Sequence, residues 1–154
     1  MLRRMLARAR YRIWQFKQVL WPKFDPDKWR QATAQIDPAL TAKLDGLKKS
    51  EKAHILRVYD DISRAVDLDD EQRRSLLEMA LLHDIGKVVT RPSLFFKVAK
   101  VIFAFANTGH CIAGARLLWR HRQNRQLVRR VLRHHDVNPD DKILRLFQRF
   151  DDRN

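Results

Sequence analysis

The strongest constraint on this chain is the place where a helix has to stop. An apolar helical run through Leu76, Leu77, Met79, Ala80 and Leu81 breaks off at Leu82-His83-Asp84-Ile85-Gly86-Lys87. Two metal-seeking side chains are followed there by a glycine and a lysine. In the last turn of a helix His83 and Asp84 lie ~100° apart, and both can lean toward one point beyond the helix end. That point suits an ion. Gly86 is expected to take the left-handed conformation that closes a helix, which frees Lys87 to reach into the same space. Read alone, a His-Asp pair favours a solvated C-cap, so partners elsewhere in the chain must carry the metal reading.

Such partners are present. Of six histidines, five (His54, His83, His110, His134 and His135) fall where a helical scaffold can gather them, and His121 is the exception. Asp151 and Asp152 close the final amphipathic segment.

The scaffold is expected to be all-α. Its 154 residues suit one folded unit with a real core, since 45% are apolar, and four glycines and five prolines with little β-type alternation point to helices joined by short connections. The single cysteine, Cys111, has no intrachain partner and reads as a small buried residue. No uninterrupted apolar leader is visible, so a cytoplasmic location is expected. The longest apolar stretch, Leu94 to Ala106, is broken by Lys97 and Lys100 and is shorter than the ~20 residues of a spanning helix.

Taken in order, residues 2–20 form a basic amphipathic helix, with Trp14 and Trp21 suited to a headgroup interface. That helix either lies peripherally on an anionic membrane or docks on its own domain or a partner chain. Pro22 ends it. Asp27 is expected to cap a short helix through Trp29, and Asp37-Pro38 opens another through Leu44, so residues 1–45 read as a basic helix plus a helical collar. Residues 46–154 read as the metal-binding domain. Ser50 is expected to cap a helix burying Ile55, Val58, Tyr59, Ile62 and Val66, with His54 beside that face. After Arg91-Pro92-Ser93 come an apolar helix, a helix from near His110 toward Arg120, one over about Gln126 to His134, and a last helix from Pro139-Asp140-Asp141 to Asp151.

Charge is unevenly distributed. The net charge is +14, and from Ile85 to His135 there is no acidic residue. That window implies an anionic partner: a phosphorylated small molecule, a nucleic-acid backbone or an acidic membrane, among which charge alone does not choose. A solvated basic face explains the outer arginines equally well. The oligomeric state stays open.

The order His54, His83-Asp84, Asp151 resembles the H…HD…D signature of the HD-domain superfamily of metal-dependent phosphohydrolases. The resemblance runs from about His54 to Asp152, and Leu81 to Lys87 is its most specific piece. His110 begins a His-x-x-x-Gly-x-x-Leu-Leu pattern (Gly114, Leu117, Leu118), and His134-His135 follow a further helix, which looks like the two-metal HD-GYP branch. That branch's Gly-Tyr-Pro loop is absent, since His134-His135-Asp136-Val137-Asn138-Pro139 runs directly into the last helix. Its extra acidic ligand is also absent, because Ser50 stands at that position.

The resemblance implies a compact multi-helix HD-domain-like bundle. In it His54, His83, Asp84 and Asp151 hold one divalent ion, and Asp84 bridges to a second held by His110, His134 and His135. Asp151 is preferred to Asp152 because it aligns with the closing aspartate of the signature. Lys87 is expected to act with Asp84 in catalysis by binding a phosphate oxygen or assisting the leaving group, with Arg91 and Arg116 as weaker substrate contacts. A mixed nitrogen and oxygen ligand set favours Mn²⁺ or Fe²⁺ over Mg²⁺, with Co²⁺, Ni²⁺ and Zn²⁺ left open. The implied activity is a metal-dependent phosphohydrolase or phosphodiesterase acting on a nucleotide or other small phosphorylated compound. The alternative is a non-catalytic sensor or adaptor that keeps the scaffold and binds nucleic acid, a membrane surface or a protein.

Overall fold

Aspartate followed by proline sets the first two helices of the computed structural model, which describes residues 22–90 and 109–154. The expected basic helix over residues 2–20, the apolar segment 94–106 and Arg91 lie outside the described residues. Helix α1 spans Pro26–Thr33 and α2 spans Pro38–Asp45. Asp25 accepts from the amides of Asp27 and Lys28, and Asp37 accepts from those of Ala39 and Leu40. In both helices a proline fills the position whose N–H has no partner anyway. The cap of α1 is therefore Asp25 rather than the expected Asp27, which is the second residue of the helix and pairs with Arg30.

Helix α3 spans Lys49–Arg64. It begins earlier than a Ser50 cap allows, because the Glu51 carboxylate turns back to accept from the Lys48 amide at 2.9 Å. Ala65 is extended (ψ 127°), so the helix stops there. Val66 consequently falls off the buried stripe of Ile55, Val58 and Ile62 and is 87% exposed, contrary to the sequence expectation. Helix α4 spans Asp70–Leu82; Asp69 caps it, and Asp70 and Glu71 lie at the positive end of its dipole. From α4, the Arg73 guanidinium donates to the carbonyls of Ile62, Ser63 and Ala65, which satisfies the orphan acceptors at the end of α3 and ties the two helices together.

The remaining helices are α5 (Lys87–Thr90), α6 (Gly109–Arg120), α7 (Arg125–Leu132) and α8 (Lys142–Asp151). Helix α7 stops at Leu132, short of the expected His134, so both His134 and His135 lie in the turn beyond it. Among the described residues every regular element is helical. No described helix is long and apolar enough to cross a membrane.

The packing explains where the ends of these helices meet. Leu144, Phe147 and Phe150 of α8 are buried with Ile55 and Ile62 of α3 and with Leu76, Met79 and Leu82 of α4. Burying each such side chain is worth about 1.5–3 kcal/mol, so this apolar face fixes α8 across α3 and α4. Helix α6 packs on α7 and against α5. The C-terminal ends of α4 and α8, the start of α6, the first turns of α3 and the turn after α7 converge as a result.

Candidate metal centre

Helix α4 ends by tightening. The amides of Ile85, Lys87 and Val88 donate to the carbonyls three residues back, Leu82, Asp84 and Ile85, at 3.2, 2.9 and 3.2 Å. These short turns satisfy carbonyls that a helix terminus leaves free. No glycine among the described residues has positive φ, so the expected left-handed Gly86 is corrected. Gly86 is instead required by proximity. A Cβ there would stand 1.9 Å from the His110 carbonyl oxygen and 2.5 Å from the Gly114 amide nitrogen. The stop in α4 is thereby pressed against the start of α6.

This contact brings histidines from separate helices onto one carboxylate. Asp84 Oδ2 lies 3.4 Å from His83 Nε2, and Asp84 Oδ1 lies 3.4 Å from His110 Nε2. On the first side, Asp151 Oδ1 is 2.9 Å from His54 Nε2 and 3.6 Å from His83 Nε2. On the second, His110 Nε2 and His134 Nε2 are 3.3 Å apart. The His135 ring stands 4.1 Å from that of His134 and 5.2 Å from that of His110, centroid to centroid. His54, His83, His110, His134, His135, Asp84 and Asp151 are thus brought together, while Asp152 is exposed. His121 lies at the far end of α6.

The outer hydrogen bonds decide what these rings present. His83 Nδ1 donates to the Ala80 carbonyl at 3.0 Å, and His134 Nδ1 donates to the Val131 carbonyl at 2.6 Å. With the proton held at Nδ1, each Nε2 offers a lone pair to the interior of the cluster. Buried lone pairs that face carboxylate oxygens and one another repel unless a proton or cation stands between them. The donor set therefore fits divalent ions: Asp84 offers one oxygen to each half, and the backbone orients the imidazoles.

The electrostatics agree. Burial opposes ionisation of Asp84, but the Lys87 ammonium, which donates to Oδ2, and the His83 ring hold its carboxyl well below the usual range. Burial likewise opposes charge on Asp151, yet His83 and His54 hold it far below an ordinary aspartate. On His83, burial works against the proton, while Asp84 and Asp151 together outweigh it and raise the pKa. His110 and His134 are pushed down to about 4 and about 3, chiefly by burial, and so remain neutral at physiological pH, with no proton for a metal to displace. Burial also opposes charge on Lys87, but the Asp84 carboxylate keeps it protonated.

Lys87 opens α5 and its ammonium is bound to Asp84 rather than extended into open space. Arg116 is not brought to the centre. It is exposed on α6, beside an apolar groove that includes Ile112, Trp119 and Leu132, because six residues of helix turn it away from His110. Cys111, read from sequence only as buried filler, has its Sγ 3.7 Å from His110 Nε2 and 4.0 Å from His134 Nε2. The signal available in the sequence was its adjacency to His110 at a helix start, the same kind of pairing that singled out His83-Asp84.

Next to the cluster lies an open cleft of about 260 Å³ lined by His134, His135, Asp136, Asn138, Gln148 and Asp151. Gln148 Nε2 donates to the carbonyls of His134 (3.0 Å) and Asp136 (2.9 Å), which fastens this wall to α8.

The family model described as HD domain matches residues 51–152, a span that begins three residues before His54 and ends one residue after Asp151. The match is to the HD domain at large and does not single out the HD-GYP branch. No curated protein and no solved structure matches the chain.

Proposed function

The chain belongs to the HD domain family, and on that premise we propose that it is a phosphohydrolase or phosphodiesterase acting on a nucleotide or other small phosphorylated compound through a two-ion centre. The family as a whole is one of metal-dependent phosphohydrolases. The observation that carries the two-ion reading is the placement of Asp84, whose two oxygens each stand 3.4 Å from a histidine of a different half of the cluster.

In this reading His54, His83, Asp84 and Asp151 would hold one ion, and His110, His134 and His135 would hold the other, with Asp84 available to both. When bound, such a pair of ions supplies Lewis acidity to the phosphoryl group and lowers the pKa of an attacking water. The chain's own groups do the rest. The cleft beside His134, His135 and Asn138 admits the substrate from solvent. Lys87, a protonated ammonium 22% exposed at its side chain, meets charge that develops on phosphoryl oxygens once it turns from Asp84. The buried Ala80 and Val131 carbonyls keep the ligand rings from rotating and so fix the geometry before substrate arrives.

Metal-stripped protein assayed for phosphate release on a panel of phosphate mono- and diesters, with and without added Mn²⁺, Fe²⁺ or Zn²⁺, tests the proposal. Release that requires the added ion and is abolished by Asp84→Ala is expected. Full metal binding without turnover of any ester would contradict it and favour a sensor or adaptor.

A further inference from the structure

The second half of the cluster contains a sulfur atom that a nitrogen and oxygen centre does not need. Cys111 is buried (1% exposed), and it is not in a disulfide. Helix α6 places it directly after His110, and its Sγ, His110 Nε2 and His134 Nε2 form a triangle with edges of 3.3, 3.7 and 4.0 Å. A tetrahedral ion with metal–nitrogen bonds of ~2.0 Å and metal–sulfur bonds of ~2.3 Å has edges of roughly 3.3 Å between nitrogens and roughly 3.5 Å between nitrogen and sulfur. The nitrogen–nitrogen edge matches, and the two nitrogen–sulfur edges are longer by about 0.2 and about 0.5 Å, so a small inward turn of the thiol closes the triangle on an ion. His135 offers a further nitrogen to the same group, with one candidate ligand atom from each of the four residues lying within 4.8 Å of the others.

We propose that Cys111 is a thiolate ligand, so that His110, Cys111 and His134 form a sulfur-bearing site selective for Zn²⁺ beside the nitrogen and oxygen site of His54, His83, Asp84 and Asp151. The inference rests on the two-ion reading above and assigns a distinct chemistry to one half of it. Thiolate is a soft ligand that prefers zinc over manganese or magnesium, and the opposite half, with two carboxylates, lacks that preference. Binding replaces the S–H bond with a sulfur–metal bond and releases the thiol proton to solvent. The two halves of the centre therefore differ in which ion they accept.

Co²⁺ serves as the probe because a thiolate bound to it gives a charge-transfer absorption in the near ultraviolet, which imidazole and carboxylate ligands do not. Cys111 is the chain's one cysteine, so in thiol-free buffer the band has a single source. Wild-type protein titrated with Co²⁺ is expected to develop the band. Cys111→Ser and Cys111→Ala are expected to lose it, to keep the ion of the other half, and to bind zinc more weakly by at least the ~10–100-fold that loss of an outer-shell partner costs. Co²⁺ bound at full occupancy without the band would overturn the thiolate ligand and leave the two-ion centre standing. Failure of the wild type to bind Co²⁺ at all would overturn both. The wild-type spectrum decides even where a variant folds poorly.

Discussion

Gly86 and His110 are in backbone contact: a methyl group on the Gly86 Cα would stand 1.9 Å from the His110 carbonyl oxygen. This one approach joins the two halves of the cluster, because Gly86 follows the His83-Asp84 pair and His110 begins the helix that carries the second half. Nothing flexible lies in the way; the obstructing atoms are backbone of α6.

Gly86→Ala should therefore force α4 and α6 apart. Overpacking typically costs about 1–3 kcal/mol, and a backbone obstacle puts this case at the upper end, at about 2 kcal/mol or more. Denaturant unfolding of the metal-free variant measures the cost. A variant as stable as wild type would show that the contact is looser than described. The same substitution should weaken metal binding, since it displaces His110 from Asp84.

Lys87→Ala should separate holding ions from using them. Its ammonium cannot be a metal ligand while protonated, and by pairing with Asp84 it competes with an ion for that carboxylate. Metal content should be undiminished, while turnover of a cleaved ester should fall on the order of 10²-fold or more. Equal rates would remove Lys87 from the catalytic groups.

These expectations show what could be read in the sequence. The HD-type stop was legible because it interrupts a periodic apolar run. The preference for Asp151 over Asp152 came from the signature's closing aspartate, and it is the Asp151 carboxylate that stands 2.9 Å from His54 Nε2. The role of Gly86 was not legible, since glycine at a helix end is locally explained by a left-handed turn and the approach of α6 is a tertiary fact. Local choices between neighbouring polar residues also failed. Asp25 rather than Asp27 caps α1 because Pro26 takes the first helical position, and Glu51 rather than Ser50 closes the start of α3. Arg116 was expected as a weaker substrate contact, and helix phase places it away from the histidine cluster.

Acid should destabilise the metal-free protein before its carboxylates titrate. His110 and His134 are neutral in the folded state down to about 4 and about 3, whereas their unfolded value is 6.5. Between those values the unfolded chain binds more protons, so stability falls as pH falls from about 6.5 toward 4, by up to about 1.4 kcal/mol per pH unit for each ring. His83 has the opposite sign: its raised pKa contributes stability that is already complete below 6.5, so it does not compensate in this window. The depressed carboxyls of Asp84 and Asp151 add their loss only at lower pH. Melting temperatures of wild type and His134→Gln across this range check the sign. A wild-type curve no steeper than that of the variant would contradict it.

The two-ion centre is tested most directly by counting ions. Protein stripped of metal, reloaded with excess Zn²⁺, freed of unbound ion and analysed for metal per chain is expected to hold about two, the nuclearity of a shared-carboxylate site. His110→Ala is expected to hold about one, and Asp84→Ala, still helical by circular dichroism, close to none. A wild type that holds no ion, or a single ion unaffected by Asp84→Ala, would contradict the assignment of this cluster as the metal centre.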